Sequence, residues 1–132
     1  MTLKIFRHGA PVKPAIIFLH GLGVSSWMWE EQIEALKEDY YCLAVDLPGN
    51  GDSLQAECVS FAQTAVSVAD IIRQECPDRQ AHVVGLSLGG YVTLQLLLDH
   101  PEVVLSAITS GITTRPFPAI YKPLISLTTR IA

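Results

Sequence analysis

Residues 85–90 read Gly85-Leu86-Ser87-Leu88-Gly89-Gly90, and this stretch decides the fold. The apolar run Ala81–Gly85 leads into it and the apolar run Gly89–Leu98 leads out, so a serine stands where a strand hands over to a helix. A turn that sharp lifts the serine hydroxyl clear of the backbone. Glycines two residues to either side remove the Cβ atoms that would collide at the bend. Ser87 is therefore the candidate nucleophile.

Working outward, the elements alternate. Leu3–Phe6 reads as a short first strand, and Ala15–Leu19 as a buried strand ending in His20-Gly21. Ser25 and Ser26 offer an N-cap for a helix over Trp27–Lys37, with Glu30, Glu31 and Glu34 on its wet side. Tyr41–Val45 is a further buried strand, closed by Asp46-Leu47-Pro48-Gly49. Behind Ser60, the spacing of Phe61, Ala65, Val68, Ala69 and Ile72 describes one face of a helix that ends near Cys76-Pro77. The helix Gly89–Leu98 is apolar nearly all round and is expected to be buried; Val103–Thr109 follows as the last strand. Strands and helices in alternation, with continuous apolar strands, define an α/β protein whose mostly parallel sheet carries helices on both faces. Past Gly111, prolines 116, 118 and 123 interrupt a mixed Ile/Leu/Thr stretch. Residues 1–111 thus read as the core and 112–132 as the start of a lid or cap segment, or a frayed tail.

Composition narrows the classes. The 132 residues are 49% hydrophobic and 17% charged, enough to bury a core. A net charge of −4 offers no basic footprint for nucleic acid or an anionic membrane. There is neither a signal-peptide run nor a membrane-length apolar stretch. Cys42, Cys58 and Cys76 are odd in number and lack C-x-x-C spacing, so they read as buried or incidental free thiols. A soluble, cytoplasmic protein is the expectation.

Two further loops lie at strand ends with the Ser87 turn: His20-Gly21-Leu22-Gly23, and Asp46-Leu47-Pro48-Gly49-Asn50-Gly51-Asp52-Ser53. In this order and spacing, from about Leu3 to Thr109, the chain resembles the N-terminal half of the α/β-hydrolase superfamily, the esterase- and lipase-like serine hydrolases. The resemblance implies a partial α/β-hydrolase fold that stops before the last strands. It implies Ser87 as the nucleophile of an acyl-enzyme, with the Leu88 and Leu22 amides as oxyanion donors. His20, Gly21 and Gly23 are candidate substrate-facing positions of the first loop. His20 itself reads as a loop-holding residue rather than the base, and Asp46, Asp52 and Ser53 as turn formers. Trp27 and Trp29 read as packing residues with a pocket mouth as the alternative. The implied activity is that of a carboxylesterase, lactonase or C–C hydrolase on a small ester or related acyl compound, with no metal and no cofactor.

Serine needs a base within about 2.6–3.2 Å and an acid to orient it. The histidine after Ser87 is His100, thirteen residues on, at the far end of the expected helix. That is about 20 Å away at a helical rise. Asp99 and Glu102 are stranded beside it, and His82 lies about 16 Å back along its strand. The resemblance places the acid and base on later strand ends, so the chain reads as the N-terminal part of a longer enzyme. The alternative is a catalytically inactive half-fold acting as a binding or interaction module. Stopping there leaves Val103–Thr109, which would normally be interior, as an apolar open edge, so the 132-residue chain alone is expected to be marginally stable or to self-associate through it.

Overall fold

The computed structural model describes residues 2–53 and 60–115. It contains β1 (Lys4–His8), β2 (Ala15–Leu19), α1 (Glu30–Leu36), β3 (Tyr41–Asp46), α2 (Phe61–Glu75), β4 (Ala81–Leu86), α3 (Leu88–Asp99) and β5 (Val104–Ser110). The strands form one five-stranded sheet in the order β1-β3-β2-β4-β5. β1 runs antiparallel to β3, and the other three pairings are parallel. Cys58 and the proline-punctuated stretch from 116 onward lie outside the described residues.

Why the strands sit where they do follows from which side each residue faces. All five residues of β2 are buried, because side chains alternate between two covered faces of a central strand. On one face Ile17, Leu19, Leu43, Val45 and Val83 pack under α2 and α3, meeting Val68, Ile72, Val92 and Leu96. On the other, Ile16, Phe18, Cys42 and Ala44 pack against Trp29 and Ile33. Each of the Val, Leu, Ile and Phe side chains among these contributes about 1.5–3 kcal/mol by leaving water.

The helices follow the sequence with instructive departures. α2 begins at a capping box: the Gln63 amide donates to Ser60 Oγ at 3.2 Å, and the Ser60 amide donates to Gln63 Oε1 at 3.2 Å. Of its expected buried face, Ala65, Val68, Ala69 and Ile72 are buried, whereas Phe61 is partly exposed and stacks on Tyr91 at 5.8 Å. The helix expected from Trp27 is α-helical only from Glu30, because a 3-10 turn over Ser26–Trp29 precedes it. α3 departs most. It buries Gly89, Gly90, Val92, Thr93 and Leu96, while Leu97 and Leu98 are exposed. Its buried stripe meets the sheet and α2, and nothing among the described residues covers its outer face. Cys42 and Cys76 are buried free thiols, and burial pushes the Cys76 thiol up to about 12, which leaves it unreactive.

The approach of α3 to β2 is closer than any side chain permits. A Cβ on Gly89 would run into the Leu19 carbonyl, and one on Gly85 into the Gly89 carbonyl and Thr93 Oγ1. Both obstacles are backbone or buried, so neither can yield cheaply. We expect Gly89→Ala to cost about 3 kcal/mol, read as a lowered midpoint in urea denaturation. An unchanged midpoint would show that the helix can back away from the strand.

Candidate active site

The loops after β2, β3 and β4 gather at the carboxyl end of the sheet, the usual place for a site in an open α/β fold. Ser87 joins β4 to α3 with φ +49° and ψ −108°, a conformation that side chains rarely adopt. Such a residue costs about 1–3 kcal/mol and persists only when its surroundings hold it. Here the Ser87 amide donates to the Ser110 carbonyl at 2.8 Å, and the Ser87 carbonyl accepts from the Tyr91 amide at 3.0 Å. The hydroxyl caps nothing in the helix and has no hydrogen-bond partner among the described residues.

The amides expected around it are free. Leu88 is the first residue of α3, so its N–H has no helical acceptor. Neither it nor the Leu22 N–H bonds to any described group. The first loop lies against the turn: a Cβ on Gly21 would sit 3.7 Å from Ser87 Cβ. Leu22 is 57% exposed, and the space beside Gly23 is open. Gly21, Leu22, Ser87 and Leu88 therefore share one corner of the molecule.

His20 is placed differently from its neighbours. Its ring is fully buried and both nitrogens are engaged: Nδ1 meets the Gly21 carbonyl at 2.7 Å, and Nε2 accepts the Leu47 amide at 2.9 Å. The side chain faces the protein, so it reaches the open corner only through the loop it holds. Burial pushes its pKa below the ordinary 6.5, while the Gly21 carbonyl and the Asp46 charge pull the other way. Asp46 is buried and accepts from the Ser26 and Asp52 amides, each at 2.8 Å. Ser53 Oγ accepts from the Lys4 amide at 2.8 Å. These polar residues tie loops together, as turn formers do.

The other titratable groups lie elsewhere. His100, at the end of α3, takes part with Arg73 at 3.4 Å in a surface cluster in which Arg73 also meets Glu102 at 2.5 Å. Asp99 accepts from Gln95 at 2.7 Å. His82 Nδ1 meets Ser106 Oγ across the sheet at 2.7 Å, and His8 is exposed on β1. Trp29 packs on Phe18 in the core at 5.4 Å, not at a pocket mouth. Trp27 is exposed and lines a cavity of about 450 Å³ with Phe6, His8, Glu30 and Asp52; Ser87 does not line it. Among the described residues, no cluster of His, Cys, Asp or Glu could hold a metal ion, and no helix is long and apolar enough to cross a membrane.

The sequence did not point to the Ser110 carbonyl as the acceptor that holds the Ser87 turn. It also gave no sign that the Tyr91 hydroxyl accepts the Thr113 amide at 3.1 Å. Both contacts depend on β5 lying beside β4, a pairing that no local pattern encodes.

A mostly parallel sheet carrying a strained serine between β4 and α3, with a glycine-containing loop against it, defines an α/β hydrolase. A family model described as "alpha/beta hydrolase fold" matches residues 14–125, and the chain belongs to that family. A pimeloyl-[acyl-carrier protein] methyl ester esterase of Aeromonas hydrophila subsp. hydrophila is 38% identical over 111 residues, covering 83% of this chain and 41% of that protein. An AB hydrolase superfamily protein of Gibberella zeae is 30% identical over 127 residues, covering 96% of this chain and 45% of that protein. The chain thus spans less than half the length of these curated relatives. The solved structure of a marine microorganism esterase superposes with a TM-score of 0.82 at 23% identity, covering 98% of this chain and 48% of that one, a likeness of fold.

Strain at Ser87 has a measurable consequence. Glycine accepts a positive φ freely and alanine does not. We expect Ser87→Gly to be more stable than Ser87→Ala by about 1 kcal/mol in chemical denaturation. Equal stabilities would mean that the turn relaxes once the hydroxyl is gone.

Proposed function

We propose that this chain carries the nucleophile and the oxyanion-binding half of a serine esterase. The observation that carries the reading is Ser87, held at φ +49° with a hydroxyl that, like the nearby Leu88 and Leu22 amides, has no partner among the described residues. Ser87 Oγ attacks the ester carbonyl carbon, and the oxygen that becomes negative lies against those two amides. Donors set in advance at such a position are each worth about 3–4 kcal/mol in the transition state. The tetrahedral adduct collapses to an acyl-serine as the alcohol leaves with the proton taken from Ser87. Water then attacks the acyl group, the free acid departs, and Ser87 regains its proton.

No described histidine or carboxylate reaches Ser87, so the base and its orienting acid come from polypeptide beyond these residues. The substrate class is a small carboxylic ester. A methyl ester is the first candidate, since the Aeromonas relative is named as a methyl ester esterase. The reaction needs no metal and no organic cofactor, and it suits a cytoplasmic enzyme. Residues 1–111 are assigned to its core.

A second reading rests on β5. It lies at the sheet edge with Leu105 51% and Ile108 66% exposed, and it carries no charge or proline to discourage pairing. Copies of the 132-residue chain join edge to edge there, and an inactive half-fold would use the same edge for a partner.

The test is covalent. In the protein that carries this chain, a fluorophosphonate is expected to modify Ser87, located by peptide mass. Ser87→Ala is expected to lower methyl-ester hydrolysis by at least about 10³-fold. Hydrolysis that survives Ser87→Ala would refute the assignment.

A further inference from the structure

His20 stands where three segments meet. Its carbonyl accepts the Gly89 amide at 3.0 Å, which ties β2 to the first turn of α3. Its ring then reaches both other loops, the Gly21 carbonyl at 2.7 Å and the Leu47 amide at 2.9 Å. An amide N–H can only donate, so Nε2 must be the bare, accepting nitrogen. The proton of the neutral ring therefore sits on Nδ1 and is given to the Gly21 carbonyl. The geometry admits one tautomer.

The Gly21 carbonyl and the Leu22 N–H belong to the same peptide plane. In a trans peptide these two groups point in opposite directions, and the chain contains no cis bond among its described residues. Holding the carbonyl toward the buried ring turns the Leu22 N–H outward, to the corner where Gly21 meets Ser87. We propose that His20 is a positioning residue: its Nδ1–H grips the Gly21 carbonyl and so aims the Leu22 amide at the oxyanion, while Nε2 locks the required tautomer through Leu47. This rests on the serine esterase reading above. The role is separable from mere packing, because the two ring nitrogens have different duties.

A proton on Nε2 would face the Leu47 N–H, donor against donor. Burial resists that proton. Among the described residues, Asp46 at the end of β3 is the charged group that favours it; β2, the end of β4 and the first turn of α3 present none. As pH falls below 6.5 the unfolded chain takes up the proton first, so the stability that this arrangement contributes above 6.5 is progressively lost toward the lower folded-state value.

Two measurements test the proposal. In ¹⁵N NMR of the chain, His20 is expected to show a protonated Nδ1 and a bare Nε2 at pH 6.5. A proton on Nε2, in a neutral or a charged ring, would overturn the proposal. In the protein that carries this chain, His20→Gln keeps an acceptor near the Nε2 position but loses the Nδ1 donor. His20→Asn keeps a donor near Nδ1 but loses the acceptor. With ester hydrolysis as readout, His20→Gln is expected to lower kcat at least about tenfold, with KM within about threefold. His20→Asn is expected to retain more of kcat and to melt at a lower temperature. A folded His20→Gln variant with unchanged kcat would also overturn it. Ser87→Ala is the control: if hydrolysis survives that change, the esterase reading fails, and the NMR result still decides whether His20 holds the Gly21 peptide in the manner described.

Discussion

The hydrogen bond from the Gly89 amide to the His20 carbonyl, 3.0 Å long, is the constraint on which the upper end of the sheet depends. It exists only because Gly89 lacks a Cβ, which would collide with the Leu19 carbonyl. That close approach sets α3 directly against β2 and brings the Ser87 turn beside the His20–Gly23 loop. The Leu88 amide, which has no partner among the described residues, is left at the same corner as the loop. A bulkier residue at either Gly85 or Gly89 would separate these parts before any question of chemistry arose.

Strain and support balance around that contact. Ser87 is held off the common backbone conformations by hydrogen bonds to Ser110 and from Tyr91, so its neighbours on β5 and α3 supply the rigidity that it lacks by itself. The loop after β3 is braced in the same way. Asp46 and His20 gather the amides of Ser26, Asp52 and Leu47; both side chains are buried, and so are the bonds from Ser26 and Leu47. Satisfied polar groups inside a low-dielectric interior are stiff, because breaking any one leaves an unpaired donor or acceptor there. Stiffness is what an oxyanion site needs, since donors that must first reorient contribute less to the transition state.

The two faces of the sheet are unequally covered. α2 and α3 shield one face along most of its width, while among the described residues the Ser26–Trp29 turn and α1 pack on the other, against β2 and β3. The residues of β4 and β5 on that second face, His82, Val84, Ser106 and Ile108, are only half-buried or exposed. Exposure of apolar groups along an unpaired strand is the feature most prone to association. The outer face of α3, with Leu97 and Leu98, shares the condition.

Much of this was readable one residue at a time. The apolar runs of β2, β3 and β4, the capping box at Ser60, and the glycine-flanked serine announce themselves through local periodicity and turn chemistry. Such features depend on neighbours a few positions away, so a sequence by itself determines them. It also placed Ser87, Leu22 and Leu88 in candidate roles, and it excluded His82 and His100 as its base by chain distance alone. What only the tertiary structure decided involves residues far apart in the chain. The order β1-β3-β2-β4-β5 is one such fact, and the exposure of Leu98 on a helix that reads as wholly buried is another. The position of Trp29 against Phe18, and the choice of Leu47 as the donor to His20 across 27 positions, are others. Pairings of this kind are selected by how whole elements stack. Their energies come from burial and hydrogen bonding between segments, which no short stretch of sequence contains.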